Sequence, residues 1–309
     1  MAGTYVTRAV VLGAGGPAGI AWEVGIMAGL ADAGIDVRKA DLLIGTSAGS
    51  VVAAGLASGQ AVEELFAQQV NPARQVSELR APVEFGRLRH DFAAAKEGGG
   101  SVSEILQRVG VIAAAARTVP EARRRSVIAS RLAIHGWPER ELRVVAVDVK
   151  SGARMVFDAA SGVDFVDAVA ASCAVPGVWP PVTIGGRRYM DGGAYSTDNA
   201  DLAAGCDRVL IFALRARSPR LAVVSLESAV EALRASGAEV DVVHPDAATE
   251  AVLASVGGNL LDPSVREGAA RAGREQGQRI ATSGLMSDQA GLRGRHFRLY
   301  GDRVAPRPG

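Results

Sequence analysis

This sequence of 309 residues has few cysteines, few aromatic side chains and no large excess of either charge. The two cysteines, Cys173 and Cys206, cannot form a disulfide framework, and they fit a reducing compartment. Lysine and arginine number 34 against 33 aspartates and glutamates, so the formal charge of +1 gives no support to nucleic-acid binding. Aromatic residues make up 5% of the chain, whereas the 37 glycines predict close packing of helices on a sheet.

Long apolar runs are also missing. The most apolar stretch, residues 9–22, is shorter than the roughly 20 residues that span a bilayer, and Pro17 interrupts it. Arg8 precedes it, as in a signal peptide, but the apolar pattern continues past Glu23 and no separate cleavage site follows. We therefore interpret the stretch as the beginning of the fold, and we expect a cytoplasmic location.

Short apolar runs alternate with glycine turns and helical patterns in the first sixty residues. Residues 8–12 and 41–44 read as strands, and a glycine-rich turn and a helical pattern follow each of them. This order predicts a parallel sheet with right-handed crossovers.

The remaining elements continue the α/β pattern. Further strands are predicted at residues 142–149, 154–157, 187–190, 208–214 and 240–243. Further helices are predicted at residues 61–70, 101–118, 120–135, 164–172, 225–236 and 263–282, with residues 72–96 irregular. No linker or repeat divides the chain, which predicts a single domain over residues 1–309 with a helical insertion at about 61–138.

The second glycine turn, Gly-Thr-Ser-Ala-Gly at residues 45–49, matches the G-x-S-x-G nucleophile elbow. In such an elbow a sharp strand-to-helix turn with small neighbours exposes the serine hydroxyl. The apolar run before it and the helical pattern after it provide that context. Ser47 is therefore the candidate nucleophile.

The first turn, at residues 13–19, supports two interpretations. As a dinucleotide fingerprint it requires an acidic residue at the end of the second strand, but Asp36 and Asp41 both precede that strand. As an oxyanion hole it requires backbone N–H groups at a helix N-terminus. Pro17 has no N–H, so the donors would be Gly15 and Gly16.

A serine nucleophile needs a base. None of the four histidines lies in a glycine-marked turn, although His244 ends a predicted strand, so a Ser–Asp–His arrangement with His244 or His296 stays open. The stronger candidate is Asp191, where a strand meets Gly192. Burial would have to raise the pKa of this carboxyl for it to act as a base at neutral pH.

Other features are interpreted as structural. The run of three arginines at residues 123–125 is typical of a solvated helix face, although it could contact anionic lipid. Cys173 and Trp179 are expected in the core. No spacing of residues resembles a zinc or calcium site.

Taken together, three ordered blocks resemble the patatin-like phospholipase family: the turns at residues 13–19 and 45–49, and Asp-Gly-Gly at 191–193. The segment at residues 171–181 is similar to the family's segment before the aspartate. The resemblance implies a three-layer α/β/α fold with a mainly parallel central sheet. It also implies a Ser47–Asp191 dyad that hydrolyses acyl esters of lipids, with Gly15 and Gly16 as oxyanion donors and no metal or other cofactor.

The first block departs from the family pattern of three glycines, any residue, a basic residue and glycine. Ala14 replaces the first of those glycines and Ala18 replaces the basic residue. The missing basic side chain disfavours phospholipids and favours neutral acylglycerols or small acyl esters. The expected partner is thus a lipid or acyl ester, with peripheral membrane contact and no nucleic acid. A dinucleotide- or lipid-anion-binding protein without catalysis is the alternative.

Overall fold

The computed structural model of the chain describes residues 6–79, 85–214 and 222–282. The strands are β1 (Arg8–Leu12), β2 (Leu42–Thr46), β3 (Glu141–Asp148), β4 (Arg154–Phe157), β5 (Val182–Ile184), β6 (Arg187–Asp191), β7 (Arg208–Phe212) and β8 (Glu239–Val243). The α-helices are α1 (Gly16–Asp32), α2 (Ala48–Ala57), α3 (Val62–Val70), α4 (Phe85–Glu97), α5 (Val102–Ala115), α6 (Glu121–Ala129), α7 (Phe165–Ser172), α8 (Leu226–Ala235), α9 (Ala247–Ser255) and α10 (Arg266–Thr282).

The strands form one mixed sheet in the order β5-β6-β3-β2-β1-β7-β8, with β4 paired to β3. The neighbours from β3 to β8 along this order are parallel. The pairs β3–β4, β3–β6 and β5–β6 are antiparallel. Parallel neighbours need a crossover connection, and the helices that follow β1 and β2 supply it. The predicted mainly parallel sheet is therefore confirmed.

Helices cover both faces of the sheet, because neighbouring residues of a strand point to opposite sides. On β3, Val144 and Ala146 join a core formed with α1, α2 and α7. Val145 and Val147, on the opposite face, pack in clusters that include residues of α8 and α5 respectively. This arrangement confirms the three-layer α/β/α fold.

Glycine also lets two helices approach each other closely. Gly25 and Gly29 of α1 face Gly273 and Gly277 of α10, and a Cβ added at Gly29 would lie 2.0 Å from the carbonyl oxygen of Arg274. The predicted close packing thus extends from the helix–sheet contacts to this helix pair, which joins the beginning of the fold to its last described helix.

The helices between residues 61 and 138 do not gather on one side. Helix α3 packs on α1 and α10, whereas α4 and α5 pack on the opposite face of the sheet. The prediction that residues 72–96 are irregular is wrong for α4, which buries Phe92 and Ala95 at helical spacing. The short strand β5 and helix α9 were not predicted. The single-domain organisation of residues 1–309 stays a prediction.

Candidate active site

Ser47 lies at the sharp turn between β2 and α2. Its backbone angles, φ 54° and ψ −116°, fall outside the regions that residues other than glycine usually adopt. A residue keeps such a conformation only where its surroundings enforce it, and these conformations cluster at functional sites. Gly49 allows the turn, because a Cβ at this position would lie 2.0 Å from the carbonyl oxygen of Leu12.

Three side chains hold the backbone of Ser47 in this conformation. The Ser47 N–H donates to Oγ of Ser172 at 2.9 Å. The Ser47 carbonyl oxygen accepts from Oγ of Ser50 at 2.6 Å and from Sγ of Cys173 at 3.2 Å. Ser172 and Cys173 belong to the segment at residues 171–181, so this part of the sequence resemblance has a structural reason.

The sheet register brings Asp191 level with Ser47. Thr46 of β2 pairs with Val145 of β3, and the next residue of β3, Ala146, pairs with Asp191 of β6. Ser47 and Asp191 therefore stand on either side of β3 at the same height. The Asp191 N–H donates to the carbonyl oxygen of Ala174 at 2.9 Å, which ties this strand end to the same 171–181 segment.

The carboxyl of Asp191 is a buried acid with an unusual pKa. It is 3% exposed, and burial raises its pKa to about 7. The nearby Ser47 side chain and the Gly193 N–H, which donates to Oδ1 at 2.7 Å, lower the pKa in part, and the charge of Arg124 acts in the same direction. A pKa near neutrality suits a group that must accept and return a proton.

Gly15 and Gly16 form the N-terminal end of α1 beside this pair. Gly16 has a φ of +57°, which glycine adopts without strain. Among the residues that the structure describes, none accepts a hydrogen bond from the N–H of Gly15 or Gly16. Both glycines line the same cavity as Ser47 and Asp191, at the N-terminal end of a helix, where the helix dipole favours negative charge.

The cavity that contains these four residues has a volume of about 350 Å³. Its wall is largely apolar, and the side chains involved include Leu88, Phe92, Val178, Leu214, Leu226 and Leu261. A concave apolar site with a few convergent polar groups is typical of a binding site for a small molecule with a hydrophobic part. Leu88 and Phe92 come from α4, so the helical segment forms part of the wall.

Asn199 is a supporting residue that the sequence analysis missed. It is fully buried and left-handed, with φ 52°. Its amide Nδ2 donates to Oγ1 of Thr46 at 3.0 Å and to the carbonyl oxygen of Ser196 at 2.8 Å. Asn199 thereby connects the residue before Ser47 to the segment after Asp191. A left-handed asparagine has no periodic signal, so its role emerges only from the fold.

Three of the four histidines can be located in the structure. His244 lines the cavity, and its Nδ1–H donates to the carbonyl oxygen of Ala213 at 2.9 Å. His90 and His135 are exposed, at α4 and after α6. His296 lies outside the described residues.

Two other sequence features can be located. Burial raises the pKa of the Cys173 thiol to about 11, so this group is protonated at neutral pH and is not a nucleophile. Asp41 accepts from the Arg8 N–H at 2.8 Å before β2 begins, and β2 itself, Leu42–Thr46, ends without the acidic residue that a ribose-binding strand provides.

The arginine run at residues 123–125 is not a uniform solvated face, and that interpretation is wrong for its middle member. Arg123 is exposed and Arg125 pairs with Asp164 and Asp167, but Arg124 is 5% exposed. Arg124 faces inward because Glu78 and Trp179, which are distant in sequence, bind its guanidinium.

The described residues contain neither a membrane-spanning helix nor a cluster of metal ligands. No helix within these ranges is both long and apolar enough for a bilayer span. Within the same ranges, no group of three His, Cys, Asp or Glu side chains could hold a metal ion.

The fold and the site define an α/β protein with a serine at a strained strand–helix elbow and a buried carboxyl beside it. The family model described as patatin-like phospholipase matches residues 10–204, more than half of the chain, and the chain belongs to this family. The resemblance inferred from the sequence is thereby confirmed. Membership of the family supports a lipid acyl hydrolase.

The chain is also similar to solved structures, at low sequence identity. VipD from Legionella pneumophila is 12% identical with a TM-score of 0.43, and the match covers 90% of this chain and 67% of VipD. The type III effector ExoU of Pseudomonas aeruginosa is 17% identical with a TM-score of 0.40, and the match covers 90% of this chain and 53% of ExoU. The chain thus spans about half the length of ExoU. No curated protein is significantly similar to the chain in sequence.

Proposed function

We propose that the protein is a serine-dependent lipid acyl hydrolase that cleaves carboxylic esters through an acyl-enzyme on Ser47, with Asp191 as its base. The observation that supports the proposal most is a buried carboxyl with a pKa of about 7, which the Ser47 side chain helps to lower, in the same cavity as Ser47. An ordinary surface aspartate is too weak a base for this task, because its pKa is near 3.9.

In the proposed acylation, Asp191 accepts the proton of Ser47 while Oγ bonds to the ester carbonyl carbon. The carbonyl electron pair moves to oxygen, where the N–H groups of Gly15 and Gly16 stabilise the negative charge. The carbonyl then re-forms, the ester C–O bond breaks, and the departing alcohol takes the proton from Asp191. The acyl group remains on Ser47.

In the proposed deacylation, a water molecule gives a proton to Asp191 while its oxygen bonds to the acyl carbon. Collapse of this second intermediate expels Oγ of Ser47, which regains the proton. The carboxylic acid leaves, and both side chains return to their starting states.

The apolar cavity suits the acyl chain of a phospholipid or a neutral acylglycerol. With alanine at position 18, the glycine turn brings no cation to a phosphate, and this favours the neutral ester. Assays on different phospholipid substrates distinguish an activity of the phospholipase A type from one of the lysophospholipase type. A cytoplasmic location with peripheral membrane contact remains the prediction from the sequence.

A Ser–Asp–His esterase is the second candidate, since His244 lines the same cavity. In a triad the histidine directs its Nδ1–H to a carboxylate, whereas here Nδ1–H binds the backbone of Ala213. The dyad therefore accounts better for the arrangement.

The test is hydrolysis of p-nitrophenyl esters and of phospholipid and acylglycerol dispersions by purified variants. We expect Ser47→Ala to lower kcat by about 10⁴-fold or more and Asp191→Asn by roughly 10²- to 10⁴-fold. His244→Ala should retain activity, as should the control Ser130→Ala, which changes an exposed hydroxyl after α6. Full activity in Ser47→Ala would refute the proposal, and loss in His244→Ala would favour the triad.

A further inference from the structure

Arg124 is a buried cation beside the candidate site. It projects from α6, its side chain is 7% exposed, and its guanidinium carbon lies 3.9 Å from the ring centre of Trp179. Its Nη1 donates to Oε1 of Glu78 at 2.6 Å. Buried charges are normally compensated by partners, so the other charges near Arg124 decide how much positive charge remains.

The single negative charge of Glu78 cannot compensate the positive charges of its neighbours fully. Arg131 also donates to the Glu78 carboxylate, and Arg266 lies 3.8 Å from it. All four side chains are less than 9% exposed. Three guanidinium groups around one carboxylate leave a net charge of about +2 in a region from which water is largely excluded.

This charge lies next to the nucleophile elbow. A small second cavity of about 20 Å³ is lined by Arg124, Arg131 and Glu78 together with Gly16, Ser47 and Ala48. That volume holds about one water molecule. Nε of Arg124 is buried without a hydrogen-bond partner among the described residues, so part of the guanidinium is not used by the fold.

We propose that Arg124 is a positioning residue of the hydrolytic site, which supplies from helix α6 the positive charge that the glycine turn lacks at Ala18. The inference rests on the proposed function. The cavity is too small for a lipid head group, so Arg124 acts through its electric field on the negative charge, which leaves Asp191 as this group takes up the Ser47 proton and develops on the ester oxygen. It does not bind the substrate.

The low polarity of the surroundings makes this effect large. Charges interact several times more strongly near a buried site than in water. Arg124 already lowers the pKa of Asp191, and the charge of Asp191 in turn contributes to the raised pKa of the Cys173 thiol, which is neutral at working pH. Removal of the guanidinium should therefore raise both the reaction barrier and the pKa of Asp191.

The fold should tolerate the change, because Glu78 keeps Arg131 and Arg266 as partners when Arg124 is replaced. The informative variants are Arg124→Met, which removes the charge, and Arg124→Lys, which keeps it. Arg123→Met is the matched control, since Arg123 is the exposed neighbour on the same helix. Melting temperature and circular dichroism establish that each variant is folded.

The assay is the pH dependence of kcat and KM on a neutral p-nitrophenyl ester and on an anionic phospholipid. We expect Arg124→Met to lower kcat on both substrates by roughly 10- to 100-fold, to leave KM within about twofold and to move the acid limb to higher pH. Arg124→Lys should recover most of kcat, and Arg123→Met should match the wild type.

Two kinetic results would overturn the inference. An unchanged kcat with a raised KM for the anionic lipid alone would make Arg124 a head-group ligand, and equal losses in Arg124→Met and Arg124→Lys would make it a structural residue.

The pKa of Asp191, measured by infrared spectroscopy against Asp191→Asn, separates this inference from the proposed function. If Ser47→Ala stays active, the hydrolytic role of Ser47 fails, yet a raised Asp191 pKa in Arg124→Met still reports the coupling. An unmoved pKa contradicts the coupling itself.

Discussion

Replacement of Asp191 by asparagine should stabilise the protein, and the gain should grow with pH. Asparagine has the same shape and can still accept the Gly193 N–H at Oδ1, but it carries no charge. The wild-type carboxyl must be ionised at a buried position above its pKa of about 7. The variant therefore removes an electrostatic cost and leaves the packing nearly unchanged.

The sign and size of the effect follow from the pKa. Below pH 3.8 both the folded and the unfolded wild type hold the proton, so the carboxyl does not make stability depend on pH. Between 3.8 and about 7 only the unfolded state releases it, so wild-type stability falls as pH rises. The gap is about three pH units, and at about 1.36 kcal/mol per unit it amounts to about 4 kcal/mol above pH 7.

The assay is urea unfolding at constant ionic strength from pH 4.5 to pH 8, followed by circular dichroism. The free energy of unfolding of Asp191→Asn, relative to the wild type, should rise by about 3 kcal/mol across this range, because about 1 kcal/mol of the difference has already developed by pH 4.5. Asp32→Asn is the control, because Arg274 lowers the pKa of Asp32: this variant should be less stable than the wild type, by an amount that hardly changes between pH 4.5 and pH 8. A difference between Asp191→Asn and wild type that does not vary with pH would refute the reasoning.

Three further predictions concern the same region. In a pH series with a neutral ester, kcat/KM should fall about tenfold per unit below an apparent pKa of about 7, as Asp191 takes up its proton, and a flat profile would contradict this. Ser172→Ala removes the acceptor of the Ser47 N–H and should lower kcat by about 10- to 100-fold, whereas unchanged kinetics would show that this bond does not hold the elbow. Gly49→Ala forces a Cβ onto a carbonyl oxygen of β1 and should lower the melting temperature sharply. The control Gly86→Ala has open space around it and should not lower the melting temperature. Equal melting temperatures of the two variants would refute the steric argument.

The sequence predicted the parallel core well because local signals agree there. The apolar runs of β1 and β2 are each followed by a glycine turn and a helical pattern, and the structure has these elements at those places. Gly15 and Ser47 could be grouped for the same reason, since each follows a parallel strand and the carboxyl ends of these strands meet at one edge of the sheet. Asp191 ends the antiparallel strand β6, and its pairing with Ala146 of β3 brings it to the same height.

What the sequence could not predict depends on contacts between distant segments. The segment at residues 171–181 holds Ser47 and Asp191 through hydrogen bonds that no spacing announces. Arg124 sits within a run that looks solvated, and only Glu78 and Trp179 explain its burial. The three-residue strand β5 is too short for a periodic signal.

The most direct test of the central claim is mass spectrometry of the protein after treatment with a fluorophosphonate. We predict one adduct, on the peptide that contains Ser47, with slower labelling in Asp191→Asn and unchanged labelling in Ser130→Ala. An adduct on another residue, or equal labelling of Ser47→Ala, would contradict the account.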